Sequence, residues 1–223
     1  PICILYPGEG HTRLGRLGRL LRDATHPDGM RLLIAREAVE VLRRYQFDNP
    51  VERSFPPGAA IHPYYAILKA ASKLGWKIHW DEVNRELMRL TRDEDIDAAI
   101  ERIRVARGDA GYSAFIGSDS NAAGLLNART HPADAEAPEG KTPEGQLRDQ
   151  RMTPFLKRVG FGELLLASPG VGGGGYWSVP TEVRDIVQAA VSTAPPVKAV
   201  ATEQEWIEWF CEGAASVATA MPP

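Results

Sequence analysis

Apolar residues recur at three- and four-residue spacing through the first half of the chain, which predicts amphipathic helices. The first run covers residues 30–46, and turn-forming residues bound it at 26–29 and 48–50. Charged residues occupy the face opposite its apolar positions, which are Met30, Leu33, Ile34, Ala38, Val41, Leu42 and Tyr45. The chain is therefore expected to begin with an N-terminal helical segment over residues 1–60.

Residues 61–107 are predicted to form a group of three helices with short connections. Two of them cover residues 62–74 and 81–90. The third is expected to follow Thr91-Arg92-Asp93-Glu94, a capping box whose threonine and glutamate would each bind a backbone N–H of the first turn. His62 precedes a proline, which disfavours a helical conformation at His62 and predicts that a helix begins just after it. His79 is expected to pack in the core or to cap a helix.

The second half of the chain combines polar connections with one strongly patterned segment. Residues 108–150 are rich in Gly, Pro and acidic residues, which predicts a solvated connector. Residues 151–192 predict a short helix, a strand over FGELLLA, a glycine-rich turn, a strand over YWSV and a closing helix. A capping box from Thr202 to Glu205 begins an amphipathic helix within the C-terminal segment 193–223. The predicted fold is mainly α with a small β-hairpin, a helical bundle followed by a winged-helix-like module.

The order of elements in residues 151–192 is the one that a winged-helix module requires: a recognition helix, a hairpin wing and a helix packed beneath. The segment RMTPFLKRVGFGELLLASPGVGGGGYWSVPTEVRDIV resembles the winged-helix regions of bacterial restriction, DNA-modification and phage-defence proteins. That resemblance implies duplex DNA binding by a targeting or specificity region. Residues 61–107 would supply a helical scaffold, or the first half of the same winged helix with 108–150 inserted. The matching positions are Leu156, Gly160, Phe161, Leu164, Leu165, Tyr176 and Ser178.

Basic residues are concentrated locally, whereas the formal net charge of −3 disfavours non-specific coating of nucleic acid. One group lies in and before the predicted recognition helix, which Thr153 would cap, and these residues are expected to contact double-stranded DNA: Arg148, Arg151, Lys157 and Arg158. A second group recurs at every third residue and would form a basic stripe on a helix, or equally a solvated helix surface: Arg13, Arg16, Arg19 and Arg22.

A protein-interaction or oligomerisation domain is the first alternative function. The predicted C-terminal helix carries Trp206, Trp209 and Phe210, and aromatic residues are enriched in protein interfaces. The glycine-rich turn contains neither Lys nor Arg, and winged helices also bind proteins. The predicted partner would then be another protein or a second copy of the chain.

A metal-dependent nuclease is the second alternative. Asp119, Glu139 and Lys141 have the order of a site in which carboxylates hold a divalent metal and the lysine polarises the attacking water. The prolines and glycines around Glu139 favour solvated loop charges instead, because a core strand is improbable there. Gly170, Gly172 and Gly175 match a dinucleotide-binding pattern, but a strand follows where that site needs a helix. No cofactor or metal is therefore expected, and catalytic activity of this chain alone is disfavoured.

The composition indicates a cytoplasmic protein. No apolar run approaches the roughly 20 residues that span a bilayer. The opening PICILYP lacks the basic region of a signal peptide. Two cysteines near opposite ends of the chain do not form a disulfide framework. A membrane is therefore not expected among the partners.

Overall fold

The computed structural model describes residues 5–8, 11–14, 27–46, 60–88, 90–109, 153–161, 163–169, 175–199, 202–206 and 208–209. They form a mainly helical fold with small antiparallel sheets, as the periodicity predicts. No helix in these stretches is long and apolar enough to cross a membrane. The strands are β1 (Leu5–Gly8), β2 (His11–Leu14), β3 (Lys77–His79) and β4 (Tyr176–Ser178). The helices are α1 (Pro27–Leu42), α2 (Pro63–Lys73), α3 (Trp80–Glu82), α4 (Ile96–Arg107), α5 (Thr153–Gly160) and α6 (Arg184–Val191).

The N-terminal segment differs from the predicted basic helix. β1 and β2 form an antiparallel hairpin in which Arg13 lies opposite Tyr6. The helical stripe is therefore wrong at Arg13, because a strand places successive side chains on alternate faces. The glycines that follow β2 each cost a helix interior about 1 kcal/mol, which is consistent with this outcome. The other members of the stripe lie outside the described residues: Arg16, Arg19 and Arg22.

Helix α2 lies at the centre of the fold. Pro63 occupies its first turn, where the missing N–H costs no hydrogen bond, and His62 precedes it as predicted. The helix contacts α4, α5, α6 and β3. A helix covered from several sides must be apolar around most of its circumference, and this one is. Its buried residues are Pro63, Tyr64, Tyr65, Ala66, Ile67, Leu68, Ala70 and Ala71.

One hydrophobic core joins the elements from α1 to α6. The segments 61–107 and 151–192 both contribute side chains to it, so they pack together across the connector. Burying side chains of this size contributes about 1.5–3 kcal/mol each, and these contacts hold α5 and the small sheet against α2. The largest fully buried side chains include Ile61, Ile67, Leu68, Ile78, Ile96, Leu156, Leu165 and Leu166.

The helix predicted at 81–90 forms in two parts, α3 and a π-helix over Val83–Leu87. The capping box predicted at Thr91–Glu94 is wrong, since neither Arg92 nor Asp95 at the helix starts makes a side-chain cap bond. Asp93 is occupied elsewhere: it accepts the His62 backbone N–H at 2.9 Å, and its other oxygen lies 2.6 Å from the His62 Nδ1. This pair ties the start of α2 to the start of α4.

The strand predicted over FGELLLA is also wrong. Phe161 (φ 48°) and Glu163 (φ 69°) adopt left-handed conformations that interrupt an extended chain. The Leu165 N–H donates to the Gly160 carbonyl at 2.8 Å, so the chain turns there. Of the described residues in this run, only Ala167 pairs, in an isolated antiparallel bridge to Ser178. The three successive leucines, 164–166, are all buried, which a strand with one solvated face does not allow.

The C-terminal segment packs on the end of α1. The capping box at Thr202 is confirmed: the Glu205 N–H donates to the Thr202 hydroxyl at 3.2 Å, and the Glu205 carboxylate accepts the Thr202 N–H at 3.1 Å. The helix that it begins presents Trp206 to Tyr45, with ring centroids 6.3 Å apart. Arg43 donates hydrogen bonds to the backbone carbonyls of residues 193 and 194.

Candidate nucleic-acid interface

The small sheet joins parts of the chain that are far apart in sequence. β3 pairs antiparallel with β4, with Ile78 opposite Trp177 and His79 opposite Tyr176. On the other side of β4, Ser178 exchanges two backbone hydrogen bonds with Ala167, of 2.8 and 3.1 Å. β4 therefore lies between β3 and the bridge residue that follows α5. The glycine-rich turn connects the bridge residue to β4, and residues 170–174 of that turn lie outside the described residues.

Helix α5 is fixed in place by its buried face. Leu156 and Val159 are buried in the core, while Lys157 is exposed. Gly160 ends the helix directly against the chain that follows: a Cβ there would lie 2.2 Å from the Leu166 carbonyl oxygen. Because only glycine permits this approach, the position of α5 is linked to the turn that leads into the wing. Its outer face, with Lys157, is left toward solvent.

The last residue of the glycine-rich turn, Gly175, is held by close contacts. This residue has φ 80°, and a Cβ would lie 2.3 Å from the His79 Nε2 and 2.7 Å from atoms of the Trp80 ring. The Trp80 N–H donates to the Gly175 carbonyl at 3.3 Å. The His79 and Tyr176 rings meet edge to face, with centroids 4.9 Å apart. These contacts fix Gly175 at the start of β4.

A buried carboxylate, that of Glu82, lies next to His79. Glu82 accepts the His79 backbone N–H at 2.8 Å, and the His79 Nδ1 accepts the Asp81 N–H at 3.1 Å, which completes a capping box for α3. The same carboxylate binds Arg107 through two hydrogen bonds of 2.7 and 2.8 Å. A bidentate arginine–carboxylate pair is geometrically specific. It therefore joins the end of α4 to the end of α3, where the π-helix begins.

Two pKa values near this carboxylate are shifted. Burial lowers the pKa of Arg107, but the hydrogen bond and the charge of Glu82 outweigh burial, so the pKa is raised above its usual value. Burial raises the pKa of Tyr176, the negative charge of Glu82 raises it further, and the positive charge of Arg107 opposes both effects. Arg107 therefore stays charged and Tyr176 stays neutral at neutral pH.

The arginines of α4 are all paired with glutamates. Arg102 lies 2.7 Å from Glu86, Arg104 pairs with Glu101, and Arg107 is held by Glu82. Helix α4 is therefore basic in sequence but locally neutralised. Lys157 of α5, in contrast, has no ion pair within the described part of the chain. Of these two helices, α5 is the one that offers an unneutralised cation to a phosphate.

The predicted DNA-contacting residues are only partly visible in the fold. Thr153, Lys157 and Arg158 lie on α5, as predicted, with Lys157 exposed. Arg148 and Arg151 lie outside the described residues, as do the nuclease candidates Asp119, Glu139 and Lys141. Within the described stretches, no group of three or more His, Cys, Asp or Glu residues is arranged to hold a metal ion.

The aromatic residues of the C-terminal helix are engaged within the chain. Trp206 is only 5% exposed and packs against Tyr45. The Arg44 guanidinium lies 4.3 Å from the centroid of the Trp209 ring, and the Lys198 ammonium lies 5.4 Å from it. Trp206 therefore has little surface to offer a partner, and Phe210, the third aromatic residue of the predicted interaction face, lies outside the described residues.

The buried network around Glu82 was not predicted from the sequence. His79 packs against Tyr176 and caps α3, as predicted. The capping box that it forms with Glu82 was not predicted, because histidine is not among the preferred N-cap residues. The pairing of Glu82 with Arg107, which lies 25 residues further along the chain, leaves no local pattern. Gly175 is also indistinguishable in sequence from the other glycines of the turn.

Comparison of the sequence with known proteins does not assign a family to the chain. No protein-family model matches the chain, and a search of curated proteins finds no relative. The functional inference therefore rests on the connectivity of the fold and on the exposed face of α5.

Proposed function

We propose that this chain is a winged-helix DNA-binding module in which α5 is the recognition helix and the glycine-rich turn is the wing. The observation that carries the proposal is the position of β4 between β3 and Ala167. A winged helix has this connectivity: helix, strand, helices, a second strand, the wing and a third strand that pairs with the first. Here the segment between α4 and α5 would be an insertion in that motif.

The surface of α5 supports the same proposal. Its apolar residues face the core, and Lys157 points to solvent without an acidic partner in the described part of the chain. Arg158 follows on the same helix, and Arg151 precedes it in sequence. These cations would bind backbone phosphates and position the helix, since phosphate contacts supply most of the affinity for duplex DNA. A role in targeting within a bacterial DNA-modification or defence system rests on the sequence resemblance alone.

Binding of a fluorescent duplex, titrated at several salt concentrations, tests the proposal. We expect the affinity to fall steeply as the salt concentration rises. The slope of the logarithm of the binding constant against the logarithm of the salt concentration should become shallower by about 0.9 for each phosphate contact removed. Replacing Arg151, Lys157 and Arg158 with alanine is expected to abolish binding. Unchanged affinity in this triple variant would refute the assignment of α5.

A matched control separates a specific surface from total charge. Arg31, Arg36 and Arg92 are exposed cations on α1 and before α4. Replacing these three with alanine removes the same charge from the chain. The control variant is expected to bind nearly as well as the parent, because its lost charges belong to α1 and to the segment before α4 and not to α5. Equal losses in both variants would indicate attraction by overall charge only.

A winged helix that binds protein is the second candidate. The wing sequence from Ser168 to Gly175 contains no Lys or Arg, so it could meet a phosphate only through backbone N–H groups. No duplex binding even at low salt would favour this candidate over the DNA-binding module. Alanine substitutions on the exposed face of α5 would then be expected to weaken capture of the protein partner.

A further inference from the structure

Helix α4 has an outer face that none of the described residues covers. Its inner face is buried through Ile96, Ala99, Ile100 and Ile103. The outer face is a shallow furrow lined by Ala98, Glu101, Arg102, Val105 and Ala106. Val105 is 68% exposed. It shares this face with two alanines, Ala98 and Ala106, and with the charged side chains of Glu101 and Arg102.

The residues of this face are arranged symmetrically along the helix. Ala98 and Val105 are equally far from the midpoint between Glu101 and Arg102. A two-fold axis through that midpoint would relate two antiparallel copies of α4. It would place Val105 of each copy over Ala98 of the other. These two contacts would lie about 10 Å from each other along the helix, which rises about 1.5 Å per residue. The axis would also place Glu101 of each copy opposite Arg102 of the other.

We infer that the outer face of α4 binds a second copy of the same chain, in an antiparallel two-fold arrangement. Such a contact is isologous, so one surface must complement itself. This face is complementary to itself in shape, because the small Ala98 lies against the larger Val105. It is also complementary in charge, because Glu101 lies against Arg102. The antiparallel direction also brings opposite ends of the two helix dipoles together.

Glu101 and Arg102 already form ion pairs within one chain, but they can exchange these partners for residues of the second copy. Glu101 pairs with Arg104, and Arg102 pairs with Glu86 at 2.7 Å, with the side chains of Glu101 and Arg102 both more than half exposed. Exposed ion pairs contribute little to stability, so exchanging one partner for another costs little. One helix face is small compared with the roughly 800 Å² per partner of a stable complex, so the dimer should be weak and should dissociate on dilution.

Charge exchange within the full-length chain tests the two-fold arrangement. Glu101→Arg alone and Arg102→Glu alone each place like charges across the axis twice, and both variants are expected to remain monomeric. The double variant restores both pairs and is expected to dimerise like the parent. An equimolar mixture of the two single variants is expected to form the mixed dimer. Failure of both the double variant and the mixture to dimerise would overturn the proposed register.

The mass should be measured by light scattering or sedimentation from about 10 to 500 µM, because small interfaces associate weakly. Val105→Asp is expected to abolish the rise in mass. Val197→Asp is the control, since Val197 is 71% exposed and lies outside α4. A parent chain that is monomeric at the highest concentration would refute the proposal, as would association that Val105→Asp retains. Circular dichroism melts establish that each variant is folded.

Discussion

Arg107 and Glu82 form a bidentate ion pair that joins the last turn of α4 to the first turn of α3. The Glu82 side chain is 3% exposed and that of Arg107 is 23% exposed. Arg107 also donates to the Leu74 carbonyl at 2.7 Å and to the Lys77 carbonyl at 2.9 Å. One guanidinium thus binds groups at the end of α2, in β3 and at the end of α3. β3 is the strand that pairs with β4, which follows the glycine-rich turn.

Glu82→Gln is expected to destabilise the protein by about 3 kcal/mol, because breaking a buried pair leaves the other charge uncompensated. Urea unfolding measures this loss as a change in the free energy of unfolding. Glu86→Gln is the matched control, since its partner Arg102 is 55% exposed. An exposed pair contributes at most about 1 kcal/mol, so the control should remain near the parent. Equal effects of the two substitutions would contradict a supporting role for Glu82.

Gly160→Ala is expected to destabilise the protein by about 1–3 kcal/mol, the usual cost of overpacking a core. The new methyl group would overlap the Leu166 carbonyl oxygen, and backbone atoms cannot rotate away as a side chain can. Gly29→Ala provides the comparison, because Gly29 lies in α1 and a Cβ there meets nothing within 4 Å. That variant should be as stable as the parent or up to about 1 kcal/mol more stable. Thermal melts of both variants decide the matter.

Gly175→Ala and Gly75→Ala separate backbone strain from steric contact. Both glycines have left-handed φ, 80° and 79°, so each alanine incurs a conformational cost of about 1–2 kcal/mol. Only at Gly175 does the added carbon also meet the His79 and Trp80 rings. Gly175→Ala is therefore expected to lose more stability than Gly75→Ala and to weaken duplex binding. Equal losses of stability would mean that the rings move aside and that Gly175 does not hold the wing.

Local patterns predicted the elements whose causes are local. The proline at the start of α2, the apolar spacing of α4 and the Thr202 capping box all lead to the predicted structure. The Thr91 capping box fails because Asp93 binds His62, 31 residues earlier in the chain, and no pattern around Thr91 contains that information. A capping box is a local choice that a tertiary contact can override.

The sequence predicted only those parts of the candidate site that have local causes. The short helix α5 and strand β4 are confirmed, but β4 takes its main partner from β3, a strand of only three residues that periodicity does not detect. The run of three leucines at 164–166 is equally compatible with a strand or with a buried turn. The left-handed residues Phe161 and Glu163 decide for the turn, and neither is a glycine that would have indicated it.

Tyr176 should make the stability of the fold sensitive to alkaline pH. Burial and then the charge of Glu82 raise its pKa, so the folded state binds the phenolic proton more tightly than the unfolded state does. Its contribution is therefore complete below the unfolded value of about 10 and is lost as the pH rises through the folded value. The difference in unfolding free energy between the parent and Tyr176→Phe should be constant from about pH 7 to 9 and then shift in favour of phenylalanine. Urea unfolding of both proteins up to about pH 11 measures this difference. Other groups titrate equally in the two proteins and cancel. Parallel curves of unfolding free energy against pH would therefore show that Tyr176 ionises normally.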